Sequence, residues 1–393
     1  MRSIDNGQLS LLVLLDLSAA FDTVDHSILM TVLSNRFCVE GTALEWFESY
    51  LTGRSQTFVY DGNQTASFSL ECSVPQGSVM GPLCFVSYTE EITDLFDQHC
   101  VQSHIYADDN QLYGSCRVEE VNATRDHLSN CTADVAGWCA SRRLQLNPDK
   151  TEAIWFGSRA ALKKLKPDQR TFQIGSSTIQ SSAAVRDLGV QLDAELSMKQ
   201  HINKTTAVCY FHLRRLRQIR RRAGREVTTR LVQAFVVSRL DYCNSVLAAL
   251  PESTIRPLQH VQNAAARLIF GLRTSDHITD SLIQLHWLPV RWRIQYKLCL
   301  MMHSIYSNSN RSPAYLADIV QRASTRSTRR LRSRESGLFD VPRLRTKFGE
   351  RAFSFSGPSA WNALPADIRD ETCTAAFKRK LKTFYFSQAF DCM

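Results

Sequence analysis

Ser103-His-Ile-Tyr-Ala-Asp-Asp-Asn-Gln-Leu-Tyr-Gly114 sets two adjacent carboxylates between two short apolar runs. His104-Ile105-Tyr106 and Gln111-Leu112-Tyr113 alternate polar and apolar residues as half-buried strands do, which predicts a hairpin turning at Asp108 and Asp109. Asp109-Asn110 supplies residue types that tolerate the positive φ of a tight turn. Neighbouring like charges are costly unless a cation neutralises them, and two oxygen donors on a rigid turn suit Mg²⁺ or Mn²⁺. Taken alone, an Asp-Asp pair reads first as a solvated surface turn, so the rest of the chain has to decide.

Upstream, Leu11-Leu12-Val13-Leu14-Leu15 reads as a buried strand that delivers Asp16 at its end. It is too short for a membrane span and lacks the flanks of a secretory signal. The segment Asp16 to Asp22 leads into a helix that Asp25 or Ser27 can cap, with Ile28, Leu29, Val32, Leu33 and Phe37 as its buried stripe. A second helix is expected over 42–52, then a hairpin over 56–70 about Asp61-Gly62. Val74-Pro-Gln-Gly-Ser-Val-Met-Gly-Pro82 opens one amphipathic helix through Leu83, Phe85, Val86, Ile92, Leu95 and Phe96. In that loop Gln76 offers donors and acceptors, and Gly77 allows close approach of a backbone or nucleobase. A helix over 118–142 with Leu128, Val135 and Trp138 inward leads to Leu144-Gln-Leu-Asn-Pro-Asp-Lys-Thr-Glu152 and a strand over 153–156. Lys150 stands at that strand's entrance, near the acidic cluster or simply in solvent. Residues 171–174 and 185–192 read as further strands. If strand 11–15 lies beside the hairpin, Asp16, Asp108 and Asp109 reach one mouth of the sheet and can hold two divalent cations.

The 393 residues carry a net charge of +9, unevenly spread. Residues 1–200 hold 15 Lys and Arg against 25 Asp and Glu; residues 201–393 hold 32 against 13. That asymmetry points to a cation-dependent catalytic half joined to a polyanion-binding half. The twelve cysteines form no Cys-x-x-Cys pair, which points to reduced thiols in an intracellular protein, nuclear or cytoplasmic, and leaves Asn-x-Thr at Asn63, Asn122, Asn130 and Asn203 idle. Helices are expected over 199–222, 226–249, 253–270, 278–286 and 291–306. The first carries Arg214, Arg215, Arg217, Arg220, Arg221 and Arg222 among Leu213, Leu216 and Ile219, a face for phosphate backbone rather than an ordinary solvated one. Residues 322–334 are Ser-, Thr- and Arg-rich and read as part of a basic linker over 311–337. Residues 338–393, with Trp361-Asn-Ala-Leu-Pro365 and a final helix over 375–386, read as a small docking element.

Five motifs in order, Asp16-Leu-Ser-Ala-Ala-Phe21-Asp22, Pro75-Gln-Gly-Ser78, Tyr106-Ala-Asp-Asp109, Asn147-Pro-Asp-Lys150-Thr and Leu188-Gly-Val190, resemble the palm motifs of reverse transcriptases. Their wording is similar to the LINE-type, jockey-like class of non-long-terminal-repeat retrotransposons, and the resemblance continues through Leu288-Pro289-Val290, Val341-Pro342-Arg343 and Trp361-Asn362. It implies an α+β fold with an antiparallel palm sheet over 1–197, a helical thumb-like region over 198–310, and RNA-directed DNA polymerase activity. Asp16, Asp108 and Asp109 would then be ligands of two Mg²⁺ or Mn²⁺ ions. Phe21 would exclude a 2′-hydroxyl, Gln76 and Gly77 would line the nucleotide pocket, Lys150 would protonate pyrophosphate, and Leu188-Gly189-Val190 would grip the primer.

The implied partners are an RNA template, a DNA primer and deoxynucleoside triphosphates, with no membrane. Asp22 reads as structural, a cap for the following helix rather than a metal ligand. Ser73, Met80 and Asn110 depart tolerably from the family pattern. The family's fingers and endonuclease would lie upstream of Asp16, so the expectation is a truncated copy; the alternatives are a catalytically inactive nucleic-acid-binding remnant or another nucleotidyl transferase with the same palm.

Overall fold

In the computed structural model, which describes residues 1–18, 20–175, 177–307, 312–323 and 337–390, strand β1 (Leu9–Leu15) runs through the middle of a four-stranded sheet. Leu9, Leu11, Val13 and Leu15 are buried on one face and Leu12 on the other, as a continuous apolar run requires of a central strand. Three helices follow the strand: α1 (His26–Phe37), α2 (Thr42–Leu51) and α3 (Gly81–Thr89). Next come α4 (Ile92–Gln98) and the hairpin of β2 (Gln102–Tyr106) and β3 (Asp109–Cys116). Helix α5 (Val121–Ser141) then leads to β4 (Glu152–Phe156). The sheet order is β4-β1-β3-β2, antiparallel throughout, so helices and strands interleave as a split β-α-β-β-α-β unit.

The topology decides which chain ends meet. Because β3 and β4 both run opposite to β1, their beginnings lie beside its end, with Leu15 paired to Asn110 and Leu14 to Glu152. Helix α5 covers one face through Val121, Leu128, Cys131, Val135 and Cys139, spaced at helical period. Gly114 on β3 admits that helix closely, since a Cβ there would meet Thr124 Cγ2 at 3.2 Å. Asp25 caps α1 by accepting from Ile28 N at 3.0 Å. Its burial would raise the carboxyl pKa, but hydrogen bonds from Ser27 and Ile28 and the Arg143 charge outweigh burial and hold it below the ordinary value.

Several local expectations change. The single helix expected after Pro82 is two, α3 and α4, and Leu83 and Val86 face solvent while Phe85, Ile92 and Phe96 are buried. Phe37, at the last turn of α1, is 44% exposed rather than part of its buried stripe. In the 55–69 arm, Asp61 and Gly62 both take positive φ and form a two-residue turn between Tyr60 and Asn63. Residues 184–193 are two short strands, Ala184–Asp187 and Val190–Asp193, parted by Leu188-Gly189, both at positive φ.

The chain divides into two compact units. Gly7–Asp187 with Asp193–Leu196 forms the sheet-bearing one; Met1–Asn6, Leu188–Leu192 and the described residues from Ser197 onward form the other. The second unit is helical: α6 (Lys199–Val232), α7 (Glu252–Phe270), α8 (Val290–Tyr306), α9 (Phe353–Asn362) and α10 (Thr374–Phe390), with shorter turns between. Gly224, at φ 71 and ψ 177, breaks α6 where the sequence suggests a new helix. The second half reaches only Asp241, through a wide turn over Gln233–Val237, because Tyr242 is extended and Cys243 left-handed. Residues 338–390 do not keep to themselves: Trp361, Phe377, Leu381 and Tyr385 join Leu298, Cys299 and Met302 of α8 in one core. Asp5 belongs to this unit too, accepting from the backbone of Arg345 at 3.0 Å and Thr346 at 2.8 Å.

The basic stretch 324–336 lies outside the described residues. None of the described cysteines is in a disulfide, and burial pushes the thiols of Cys139 and Cys299 up to about 12. Among the described residues no helix is long and apolar enough to cross a membrane.

Replacing the buried cap residue, Asp25→Ala, should cost about 0.5–2 kcal/mol in urea unfolding at pH 7. A depressed carboxyl stabilises above its unfolded value of about 3.9, and that contribution disappears as pH falls through the folded value. The deficit of the variant should therefore shrink toward zero in acid; a deficit independent of pH would assign the effect to packing instead.

Candidate active site

Asp16 follows directly on β1, and its backbone is held from the loop that precedes β4. Its carbonyl accepts from Asn147 N at 2.9 Å, while its N–H lies 3.5 Å from Thr151 Oγ1. That loop is itself wound tight. Asn147 Oδ1 accepts from Asp149 N at 3.1 Å and Lys150 N at 3.3 Å, and Thr151 Oγ1 donates to the Asn147 carbonyl at 2.7 Å. The turn carries Lys150 Nζ to 3.7 Å from Asp16 Oδ1. Its side chain is 66% exposed, and such an ion pair adds little stability.

The β2–β3 turn approaches the same sheet edge. Tyr106 pairs with Asp109, leaving Ala107 and Asp108 as the turn residues, and Ala107 takes the positive φ of 56°. The positive φ expected at Asp109-Asn110 falls on Ala107 instead, because Asp109 already begins β3. Asn110 is buried and its amide donates to the Asp108 carbonyl at 3.1 Å, which stiffens the turn from within. Asp109 is pushed above the usual carboxylate range, first by partial burial and then by the charges of Asp108 and Asp16. Asp16 Oδ1 is buried without a hydrogen-bond donor.

A crowded set of acids with an orphaned oxygen fits a divalent cation, which would supply the missing positive charge. Among the described residues, however, no three such groups are gathered tightly enough to enclose a metal unaided.

Phe21, Gln76 and Gly77 are placed by a second pair of loops. Val74 N donates to the Phe21 carbonyl at 2.9 Å and Ser73 N to the Val24 carbonyl at 2.8 Å, which zips the segment after Asp16 onto the segment before α3. The Phe21 ring stacks on Phe85 with centroids 4.8 Å apart. Asp22 does not cap α1, which is the work of Asp25; it accepts from Gln76 Nε2 at 3.1 Å and so orients that amide. Gly77 has a φ of 78°, and a Cβ there would meet nothing within 4 Å. Backbone conformation therefore requires the glycine, and its open side faces no protein.

One contact outside the five motifs also belongs here. Asp187 accepts from Gln111 Nε2 at 2.7 Å, and its carboxyl is pushed up by burial first and the Asp109 charge second, with His104 working the other way. The alternation of Val185 inward and Arg186 outward would have turned Asp187 inward as well. In the helical unit, Val190 is buried in the core, and Tyr242 covers the Leu188-Gly189 turn by donating to the Leu188 carbonyl at 2.6 Å. Arg214, Arg215, Arg217, Arg221 and Arg222 are exposed or half-exposed, whereas Arg220 donates to the Ile269 carbonyl at 3.3 Å. Ile219 is exposed rather than packed.

A family model described as "Reverse transcriptase (RNA-dependent DNA polymerase)" matches residues 1–192. Residues 1–192 belong to the reverse transcriptase family. The relatives extend the similarity beyond this reverse transcriptase domain. "Probable RNA-directed DNA polymerase from transposon BS" of Drosophila melanogaster is 26% identical over 280 residues, 68% of this chain and 30% of the relative. "RNA-directed DNA polymerase from mobile element jockey" of Drosophila funebris is 22% identical over 67% of this chain and 29% of its own length. "Probable RNA-directed DNA polymerase from transposon X-element" of Drosophila melanogaster is 23% identical over 65% and 28%. The chain thus spans less than a third of the curated relatives it matches, and these names agree with the LINE-type, jockey-like resemblance of its motifs.

The crowded acids of the reverse transcriptase domain make a thermal-melting prediction. A carboxyl whose folded pKa is raised stabilises below its unfolded value and loses that contribution as pH rises through the folded value. Without divalent ions, Asp109→Asn should therefore melt no lower than wild type at pH 7.5, and any advantage should vanish in acid. MnCl₂ should raise the wild-type Tm and leave the Asp16→Asn/Asp109→Asn double variant unmoved. Equal shifts in both proteins would put the cation elsewhere.

Proposed function

We propose that this chain supplies the palm and thumb of an RNA-directed DNA polymerase, which adds deoxynucleotides to a primer 3′-hydroxyl on an RNA template. The sheet-bearing unit is the palm and the helical unit from Ser197 the thumb. The observation that carries the reading is the meeting, at one edge of one sheet, of Asp16 from the end of β1, Asp108 and Asp109 from the start of β3, and Lys150 from the entrance of β4. Asp16, Asp108 and Asp109 would hold two Mg²⁺ or Mn²⁺ ions. When bound, such a pair lowers the pKa of the attacking hydroxyl and stabilises the charge on the transferring phosphoryl group.

The chain's own side chains do the rest. Asn110 and the Asn147 turn keep the acids in place before substrate arrives, so little reorganisation remains for the reaction. Phe21, backed by Phe85, is a fixed wall under the incoming sugar and leaves no room for a 2′-hydroxyl. Gln76, oriented by Asp22, and the open face of Gly77 line the nucleotide and template pocket. Lys150 sits on a flexible, exposed stem and delivers its proton to the departing pyrophosphate. The Leu188-Gly189-Val190 turn steadies the primer end through its backbone, since Val190's side chain is committed to the core.

The exposed arginines of α6 support a second reading, a nucleic-acid-binding protein without catalysis. Primer extension on poly(rA)/oligo(dT) with Mg²⁺ or Mn²⁺ separates the two. Wild type should extend the primer, Asp108→Asn should lose at least about a hundredfold of that activity, and Phe21→Ala should raise ribonucleotide relative to deoxynucleotide incorporation by roughly tenfold or more. Soluble, folded wild-type protein that binds the primer-template but adds no nucleotide would favour the second reading.

A further inference from the structure

Helices α6 and α7 face each other across a cleft of about 600 Å³. Arg217, Arg220 and Arg221 line it from α6, one turn apart, and His260, Asn263 and Arg267 line it from α7 at the spacing of a single helix face. Its lining contains no aspartate or glutamate. Arg220 and Arg267 are partly built into the wall: each donates through one terminal nitrogen to a carbonyl, Ile269 at 3.3 Å and Asp276 at 3.2 Å. Their Nε atoms are buried and have no hydrogen-bond acceptor. Gly271, left-handed at the end of α7, is what lets Arg220 lie there, since a Cβ would meet its guanidinium at 2.5 Å. Like charges converging on a concave, partly desolvated site are unfavourable until an anion joins them.

We infer that this cleft seats one nucleotide of a single-stranded nucleic acid, with its phosphate against the guanidinium groups. The inference rests on the nucleic-acid reading of the helical unit and narrows it from an exposed arginine run to a built pocket. Planar guanidinium forks match phosphate oxygens, and the cleft has the size of a small-ligand site rather than of a lone phosphate. Tyr210, also in the lining, offers an aromatic surface to a base. Arg214, Arg215 and Arg222 are absent from the lining, so the six-arginine run divides into residues that build the cleft and residues that do not.

The test is fluorescence anisotropy of the full chain in EDTA, with no nucleotide present, against a labelled 20-nucleotide single strand, as RNA and as DNA, and against its duplex. Arg217→Gln/Arg221→Gln removes two charged groups and spares the two arginines that hold carbonyls. It should weaken single-strand binding by about tenfold and reduce the salt slope by about 2. Arg379→Gln/Lys382→Gln, an equal loss of charge on exposed positions of α10, should cost clearly less. Equal losses from the two pairs, equal losses on single strand and duplex, or equal competition by polyglutamate would each overturn the inference. The comparison reads binding in EDTA without catalysis, so a failure of primer extension leaves it intact, and a failure here leaves the polymerase reading standing.

Discussion

The antiparallel pairing of β1 with β3 on one side and β4 on the other is the constraint from which the site follows. A strand that ends in Asp16 must have, beside that end, the beginnings of both neighbours when they run the other way. One beginning is the turn with Asp108 and Asp109; the other is the loop with Lys150. Register leaves no slack, because a slip of one residue would turn every core side chain of β1 outward. The apolar run Leu11 to Leu15 thus fixes where the charges meet as well as where the core lies.

The same edge is held under electrostatic tension. Three carboxylates crowd together, and Asp187 adds a fourth nearby through Gln111. Neutral hydrogen bonds confine them: Asn110 from inside the β2–β3 turn, Asn147 and Thr151 from the loop before β4. The helical unit carries the opposite imbalance, concentrated where α6 and α7 enclose four arginines and no acid.

Much of this was legible in the residues. Alternation in His104 to Tyr113 predicts a hairpin and the unbroken run at Leu11 a third strand, and the family resemblance of the ordered motifs singles out Phe21, Gln76 and Lys150. What sequence spacing cannot supply is the partner of a side chain. Asp22 reads as a helix cap until Gln76 is seen across from it, and Arg220 reads as one more phosphate-facing cation of its run until its carbonyl partner on α7 is known. Long-range packing has the same character: Trp361 and Phe377 sit in a segment without a periodic partner of its own, and only the fold shows that α8 completes their core. Asp187 and Arg267 are silent in the sequence because each lies in an ordinary helix or strand pattern and acquires meaning from a neighbour that spacing does not reveal.

The central claim is that Asp16 and Asp109, brought together by the pairing of β1 and β3, share a divalent cation. Anomalous diffraction from crystals soaked in MnCl₂ with a primer-template and a non-hydrolysable deoxynucleotide locates that ion directly. A peak within about 2.0–2.3 Å of carboxylate oxygens from both residues is the expected result. An ion bound by only one of them, or a site on the helical unit with none at this edge, would contradict the claim.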